Sequence, residues 1–264
     1  LAVDASSATS YIDDGVTNSN AYYYVVTASN SGGASANSAE AAATPFSLGS
    51  WRVRRFYPEF RGMSFGNSMY VGVGDAGMIA TSSNGATGAR RGYGATTNNL
   101  HAVAYGDAGT IAAVGRSGKI LVSHDDGVTW ADKSIGGQTG DYYGIAHGNM
   151  SGTSVFVAVG ASGRFIRSAD EGENWTWQAL TPSDTYRGVA FGDNVWVAVG
   201  NDGGIRRSID NGANWSGLQN SGTETRLNAV AHVDGGTFFA VGQTGKCLRS
   251  TDDGQNWSGS WATS

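Results

Sequence analysis

The sequence predicts an all-β protein, and three observations lead to that prediction. Glycine accounts for 41 of the 264 residues and proline for only 3, a composition that suits many tight turns and differs from that of disordered or collagen-like chains. Charged residues make up 15% and aromatic residues 11% of the chain, which leaves ample material for a core of short strands. Similar blocks of sequence also recur every 40 to 45 residues. A helical bundle is therefore excluded.

The recurring block has the form Val-Gly-x-x-Gly and occurs five times. Each block closes a run of β-branched and small residues that is typical of a strand, and turn residues follow it. We expect the glycine after the valine to take the positive φ of a two-residue hairpin, as at Arg116-Ser117 or Asn201-Asp202. The first glycines of the blocks, which are 41, 45, 40 and 42 residues apart, are Gly74, Gly115, Gly160, Gly200 and Gly242.

Each repeat is expected to form four short strands. In the last repeat these are Leu227–His232, Thr237–Val241, Lys246–Arg249 and a segment around Trp257, with Gly, Asn, Asp or Ser at every junction. Four strands in every 40 to 45 residues are typical of a β-propeller blade. The sequence thus predicts a β-propeller of four-stranded blades, built from five repeats.

A second motif, Ser-x-Asp-x-Gly-x-x-Trp, begins five residues after the second glycine of the block in four of the repeats. The first repeat carries a shortened form, Ser82 to Gly85, without the Trp. Because the motif recurs with the blades, its Asp is expected to accept hydrogen bonds from its own turn and its Trp to cover the blade, which are structural roles. The residues in these roles are Asp125 and Trp130, Asp170 and Trp175, Asp210 and Trp215, and Asp252 and Trp257.

This motif resembles the Asp-box, also called the BNR repeat. The longer pattern, for example Phe156 to Gly160 followed by Gly163 to Ser168, is similar to bacterial propellers related to the photosystem II assembly-factor family. Asp-boxes also occur in sialidases, sortilin-type receptors and xyloglucan-cleaving hydrolases. The resemblance covers roughly Trp51 to Trp261 and implies a propeller fold, which hosts many chemistries.

The repeats are compatible with two numbers of blades. The sequence favours a closed five-bladed ring, in which Trp51 to Phe56 would supply a fourth strand to the last blade, since closure removes exposed sheet edges. In the alternative, the ring is larger and blades are missing after the last repeat. The repeats alone leave this choice open.

The first 45 residues differ in kind from the repeats. The segments Ala8 to Val16 and Ala21 to Asn30 resemble the second half of a bacterial fibronectin type III domain, and Tyr22 would be its corner tyrosine. Because the chain starts at Leu1 without Met or a signal peptide, we expect a processed product or a part of a larger multidomain chain. The predicted domains are a partial fibronectin type III-like segment at 1–45, a linker at 46–50 and the propeller at 51–264.

Charge and composition argue against several function classes. With 17 basic and 22 acidic residues the formal net charge is −5, which disfavours a nucleic-acid partner or an anionic membrane surface. No run of 18 apolar residues is present, so membrane insertion is not expected. The single Cys247 excludes an internal disulfide, and the histidines are not at metal-ligand spacing, so no metal or other cofactor is predicted.

Paired carboxylates would indicate a glycosidase, because an acid and a base must flank the bond that is cleaved. Most acidic residues lie in the repeated Asp motif, where a structural role is the simpler interpretation. Sialidases carry three arginines, a Tyr nucleophile with a Glu partner and an Arg-Ile-Pro segment; Arg54 to Pro58 lies near the right place but does not match that segment. No catalytic residue is therefore predicted.

The candidate binding residues come from a position that changes its chemistry in every repeat. It lies near the start of each first strand, directly after a hydrophobic residue, and would line one end of the central channel. Aromatic, amide and arginine side chains together suit a sugar or a peptide, although a solvated rim without a ligand also fits the pattern. The predicted ligand-binding residues are Arg61, His101, Tyr143, Arg187 and Asn228.

The preferred interpretation is a non-catalytic module, secreted or on a bacterial cell surface, that binds a carbohydrate or an extracellular protein partner through one propeller face. A saccharide is expected to stack on Tyr143 and to accept hydrogen bonds from its neighbours. The alternative is a fragment of a glycoside hydrolase or polysaccharide lyase acting on extracellular glycans, in which acids outside the motif, such as Asp75 or Asp202, perform general acid and base catalysis.

Overall fold

The structure is a computed structural model of the chain, and it divides into two compact units, residues 1–56 and 57–264. It describes residues 59–92, 94–181, 184–216 and 221–259, together with the backbone of four short strands in the first unit. Those strands are β1 (Tyr22–Tyr24), β2 (Ser29–Asn30), β3 (Gly33–Ala34) and β4 (Ala41–Ala43).

In the first unit, β1 pairs with β4 and β2 pairs with β3, both antiparallel. Most of the predicted fibronectin type III-like segment lies outside the described residues, and the same is true of the predicted linker at 46–50 and the predicted strand at Trp51 to Phe56. The predicted domain boundaries therefore stay predictions.

Five antiparallel sheets follow one another along the second unit, and within each sheet the strands are adjacent in chain order. Sheet 1 contains β5 (Phe60–Gly66), β6 (Met69–Gly74), β7 (Ile79–Ser82) and β8 (Ala89–Arg91). Sheet 2 contains β9 (Leu100–Tyr105), β10 (Ile111–Gly115), β11 (Ile120–Ser123) and β12 (Ala131–Asp132). Sheet 3 contains β13 (Tyr142–Met150), β14 (Thr153–Gly160), β15 (Arg164–Ser168) and β16 (Thr176–Ala179). Sheet 4 contains β17 (Tyr186–Gly192), β18 (Val195–Gly200) and β19 (Ile205–Ser208). Sheet 5 contains β20 (Leu227–His232), β21 (Phe238–Gly242) and β22 (Cys247–Ser250).

Sheets 4 and 5 also have backbone hydrogen bonds where a fourth strand would lie. The amide of Ser216 donates to the carbonyl of Arg207 at 2.8 Å, and Arg249 forms an antiparallel bridge with Ser258. The first strands of successive sheets, β5, β9, β13, β17 and β20, lie side by side in that order. Five four-stranded repeats arranged around one line of first strands form a β-propeller, and the all-β prediction is confirmed.

The core lies between neighbouring sheets. Between sheets 2 and 3, for example, Val114 and Ile120 of one sheet pack against Tyr142 and Phe156 of the next, and all four side chains are fully buried. Trp175 packs against the same cluster, so the predicted role of the motif Trp in covering the blade is correct. Each sheet is thus stabilised mainly by the sheets on either side of it. In the part of the chain with described coordinates, no helix is long and apolar enough to cross a membrane.

The expected positive φ of the glycine after the valine is wrong. Gly200 is extended, with φ of −162°, and it is the next turn, Asn201–Gly203, that is left-handed, at Asp202 (φ 53°) and Gly203 (φ 65°). Glycine is needed at position 200 because a Cβ atom there would lie 2.2 Å from the carbonyl oxygen of Thr185. That close approach allows the amide of Asn201 to donate to the same oxygen at 2.9 Å.

The closed five-bladed ring is not confirmed and stays a prediction. Each pair of successive first strands packs side by side, but β5 and β20 do not pack on each other in this way among the described residues. Sheet 1 and sheet 5 each expose an apolar face of the kind that the inner sheets bury.

Candidate functional site at the channel mouth

The five first strands converge on one open cavity of about 270 Å³. Each strand contributes three consecutive residues to its lining, and the first residue of each triplet is a predicted binding residue. The structure therefore brings together Arg61, His101, Tyr143, Arg187 and Asn228, which we call the mouth ring. That the mouth ring binds a ligand stays a prediction.

Every residue of the mouth ring is the extra residue of a β-bulge. In sheet 3, Tyr142 pairs with Gly160 and Gly144 pairs with Val159, so Tyr143 has no partner on the second strand. The same register shift occurs at the equivalent place in the other four sheets. A bulge turns the side chain of the extra residue away from the regular alternation of the strand, and bulges of this kind are common beside functional sites.

Small residues follow the bulge because the first strands approach one another closely there. A Cβ atom on Gly62 would lie 2.9 Å from the Cα of Ala102, and one on Gly188 would lie 3.0 Å from the Cα of Ala229. The residue before the bulge is hydrophobic and the residue two positions after it is Met, Val or Ile. This hydrophobic, variable, small, hydrophobic pattern is the sequence signal that would have predicted the bulges.

The turns between the second and third strands lie at the same end of the sheets, as predicted. In all five sheets the first amide of the turn donates to the carbonyl that precedes the first strand, as from Asp75 to Glu59 at 3.0 Å. Two of these turns also hold mouth-ring side chains. Arg61 donates from Nε to the carboxylate of Asp75, and Arg187 donates from Nε to Oδ1 of Asn201 at 3.0 Å.

The hydrogen bond from Arg61 lowers the pKa of Asp75, and the same contact raises the pKa of Arg61. Asp75 is therefore an ionised partner of an arginine and is poorly suited to donate a proton at neutral pH. No Asp or Glu lines the cavity in the described ranges. That the site has no catalytic residue stays a prediction.

Tyr143 lies between side chains from both neighbouring sheets. The ring of His101, in sheet 2, stacks on it with centroids 5.4 Å apart and planes 15° apart, and the guanidinium of Arg187, in sheet 4, lies 5.2 Å from the Tyr143 centroid. The expected stacking of a saccharide on Tyr143 is therefore disfavoured by the structure, because neighbouring side chains already cover the ring.

Several polar groups of the mouth ring have no protein partner among the described residues. Nδ1 of His101 donates to the carbonyl of Tyr142 at 2.8 Å, which leaves Nε2 as the free ring nitrogen. Arg61 and Arg187 each use only Nε in a hydrogen bond within the described chain. Asn228 is exposed. The free guanidinium groups of Arg61 and Arg187 are donors, whereas Nε2 of His101 is an acceptor when Nδ1 carries the proton.

The Ser-x-Asp turns lie at the opposite end of the sheets from the mouth ring. In β11, Ser123 pairs with Ile111, which in turn pairs with Tyr105 at the far end of the first strand from His101. Asp125 accepts hydrogen bonds from Ser123 Oγ and from the amide of Thr129, both at 2.8 Å. The other three copies have the same contacts. The predicted capping geometry is present in all four.

These contacts also stabilise the ionised Asp. The backbone and side-chain hydrogen bonds from Asn256, with that from Ser250, lower the pKa of Asp252 to about 2. The indole of Trp257 donates to the carbonyl of Gly254 at 3.0 Å, and Gly254 has a φ of 76°. The Ser, Asp and Trp side chains of each motif therefore cap the backbone of their own turn.

The remaining candidate groups stay apart from the mouth ring. His147 and His232 lie within first strands, as predicted, where His147 contacts Ser154 Oγ at 2.8 Å and His232 contacts a carboxylate oxygen of Asp193 at 2.9 Å. No group of three or more His, Cys, Asp or Glu residues that could hold a metal ion exists among the described residues. Cys247 is half-buried in β22.

The fold and site define a propeller, and comparisons with known proteins agree at that level. No protein-family model matches the sequence, and no curated protein matches it either. A structure of YCF48 bound to a D1 peptide is similar, with 18% identity, coverage of 83% of this chain and 70% of that chain, and a TM-score of 0.59.

Two enzymes have similar structures as well. Virginiamycin B lyase from Staphylococcus aureus is 15% identical in sequence and has a TM-score of 0.65. The match covers 75% of this chain and 68% of the lyase chain. The GH74 enzyme of Niastella koreensis is 22% identical in sequence and has a TM-score of 0.54. The match covers 75% of this chain but only 30% of the GH74 chain. At such identities these likenesses establish the fold, and the functions of the three proteins are their own.

Proposed function

We propose that this chain is a non-catalytic binding module that recognises a carbohydrate or a protein partner through the mouth ring. The five β-bulges are the observation that carries the proposal. The bulge recurs in every sheet, whereas the side chain that it aims into the cavity differs between neighbouring sheets, and four residue types fill the five positions. A purely structural ring would be expected to repeat its side chains, as the Ser-x-Asp turns do.

The chemistry of the cavity favours a ligand rich in hydrogen-bond acceptors. The free N–H groups of Arg61, Arg187 and Asn228 are donors, and the covered ring of Tyr143 offers its hydroxyl rather than a face. Hydroxyl, carbonyl and carboxylate oxygens would all satisfy these donors. A similar fold in YCF48, which was solved with a D1 peptide, supports a peptide, and the fold of a GH74 enzyme supports a glycan.

The test is a direct binding measurement on arrays of neutral and acidic oligosaccharides and of synthetic peptides. For any probe that binds, Arg187→Ala and Asn228→Ala should each weaken binding by about 1–3 kcal/mol, since each removes a donor to the ligand. Lys133→Ala is the matched control, because this residue pairs with Glu173 in a Ser-x-Asp turn at the opposite end.

The control variant should bind as the unmodified chain does. Normal binding by all five mouth-ring alanine variants would place the site elsewhere on the molecule. Turnover of an oligosaccharide that is lost in Asp75→Asn or Asp202→Asn would replace this proposal with the glycoside hydrolase or lyase alternative.

The proposal extends to the setting of the module. We infer that the Ser-x-Asp turns are Asp-boxes, that residues 1–45 are a partial fibronectin type III-like segment, and that the chain acts outside the cell as part of a larger protein. If residues 1–45 fold separately from the propeller, their deletion should leave a propeller that unfolds in a single cooperative transition with a similar Tm. A truncated chain that is insoluble or lacks cooperative unfolding would place those residues in the propeller core.

A further inference from the structure

The face of sheet 1 that points away from sheet 2 is apolar and exposed. Sheets 2 to 5 each bury the equivalent face against the preceding sheet, and the residue that opens it, for example Leu100 or Tyr186, is 0% exposed. Its counterpart Phe60 is 53% exposed, and Met63 and Phe65 are 68% and 57% exposed. We call this surface the sheet 1 end face.

The face of sheet 5 that points away from sheet 4 is exposed in the same way. Val73, Val114, Val159 and Val199 are fully buried under the following sheet, whereas the equivalent Val241 is 46% exposed. Val233, at the end of the first strand, is 59% exposed. This surface is the sheet 5 end face.

The four internal junctions follow one steric rule. A glycine occupies the seventh position from the start of the first strand in sheets 1 to 4, and a ring of the following sheet packs over it. In three junctions this is the ring at the sixth position of the next first strand; over Gly106 the ring of Phe156 lies nearest, with His147 3.3 Å away. A Cβ atom on Gly66 would lie 2.5 Å from the ring of Tyr105, and one on Gly192 would lie 1.9 Å from the ring of His232. The missing Cβ atoms make the space for these rings.

Sheet 5 does not follow this rule, because Val233 occupies the position of the glycine. Its Cβ atom and two methyl groups fill the space that the ring of Phe65 would need. The sheet 5 end face therefore cannot receive the sheet 1 end face in the manner of the internal junctions, whether the two belong to one chain or to two copies of it.

We propose that the two end faces bind a further four-stranded sheet of the same repeat type from the same polypeptide, so that the ring holds more than five sheets. Continuity with four established junctions of the same kind supports this occupant. Its chemistry follows from the steric rule. A sheet on the sheet 5 end face carries a small residue in place of the aromatic ring, and a sheet on the sheet 1 end face carries glycine opposite Phe65.

An arginine on the third strand supports the same occupant. In the two preceding junctions Arg167 and Arg207 donate from Nε to the backbone carbonyls of Asn211 and Asp253 in the Ser-x-Asp turn of the next sheet, both at 2.6 Å. Arg249 is the equivalent residue of sheet 5, and its guanidinium lies 5.8 Å from the ring centroid of Phe239. Arg249 has no such carbonyl partner among the described residues, and a following sheet with a Ser-x-Asp turn would supply one.

The first experiment adds a sheet to the full chain. A copy of residues 186–226 is joined after Ser264 through a four-residue spacer, so that eleven residues separate Trp257 from the copy, as eleven separate Trp215 from Leu227. In one version the Phe of the copy that corresponds to Phe191 is replaced by Ala. We expect this version to raise the Tm by about 5 °C and to reduce the fluorescence of the apolar dye ANS, because Val241 becomes buried.

The unmodified copy is the matched control. Its Phe should clash with Val233, so it should raise the Tm only when Val233→Gly is also present. If neither copy changes the Tm or dye binding, or if both raise the Tm equally without the glycine, the proposed occupant is wrong.

The second experiment tests the two alternatives, which are direct contact between the two end faces of one chain and contact between two copies of the chain. In a Cys247→Ser background, Phe65→Cys and Val233→Cys are combined and the chain is oxidised, with Gly66→Cys and Tyr105→Cys as the internal-junction control pair. The control pair should cross-link within one chain and the end pair should not cross-link at all. A cross-link of the end pair within one chain would show direct ring closure, and one between chains would show a second copy; either result overturns the proposal.

Discussion

The two ends of the propeller are built from the same five repeats but differ in what they repeat. At one end, four Ser-x-Asp turns use the same residue types in the same contacts, with each Asp accepting from its own Ser and from the amide four residues on. At the other end, the bulge recurs in all five sheets but its side chain is of four different types. The comparison separates residues that build the sheets from residues that the sheets display.

The two ends differ in whether the side chain itself holds the backbone in place. The Asp of a Ser-x-Asp turn accepts from the backbone of its own turn, so loss of its side-chain oxygens leaves an unpaired N–H group there. A mouth-ring side chain projects from a bulge, and the residues before and after the bulge pair with the second strand. The residue type at the bulge can therefore vary without loss of the fold. Four predictions test this distinction.

The largest loss of stability is expected at Gly200, which lies at the mouth end but is needed for the close approach of the backbone. Gly200→Ala should destabilise the chain by about 3 kcal/mol, because the new Cβ atom would lie 2.2 Å from the carbonyl of Thr185 and the strand must shift. Gly136→Ala is the control, since no atom lies within 4 Å of the Cβ position there. The measurement is chemical denaturation of both variants, and equal stabilities would contradict the close approach.

The next effect concerns a Ser-x-Asp turn. Asp170→Ala should cost about 1–2 kcal/mol, because the amide of Asn174 and the hydroxyl of Ser168 lose their acceptor. Glu173→Gln, in the same turn but on its exposed side, should leave the Tm unchanged. Ligand binding at the mouth ring should be unaffected by either variant. Lost binding with an unchanged Tm would assign Asp170 a functional role instead.

Acid should weaken the Ser-x-Asp turns. The pKa of Asp252 is about 2 in the folded chain, below the usual Asp value of 3.8, so its contribution to stability is complete above about pH 4 and is lost as the pH falls towards 2. The Tm should be steady from pH 7 to 5 and then fall. In Asp252→Asn the fall should be smaller, because that position no longer titrates, and an identical acid profile would argue against this contribution.

The smallest effect on stability is expected at the mouth ring. Asn228→Ala should change the free energy of unfolding by less than about 0.5 kcal/mol, since the side chain is exposed and projects from the bulge of β20. Thermal unfolding beside the Gly200→Ala variant measures the contrast directly. A loss of stability as large as that of Asp170→Ala would remove the distinction between the two ends.

Much of the fold could be predicted because it rests on local contacts that repeat. The spacing of Gly74, Gly115 and the later glycines marks the sheets, and the Ser-x-Asp motif marks the turns, since a turn and its cap are formed within about eight residues. The place of the candidate site was also predictable, because Arg61 and Asn228 occupy one register position in an otherwise regular repeat. The residue types alone thus determined the architecture and the five positions of the mouth ring.

Only the tertiary structure decided how those residues are used. Tyr143 is covered by His101 and Arg187, which are 42 and 44 residues away in the chain, and that contact exists because three first strands lie side by side. The need for glycine at position 200 likewise comes from a carbonyl on a neighbouring strand rather than from its own φ. Contacts of this kind depend on how separate strands approach one another in space, and a repeat pattern along the chain does not contain that distance.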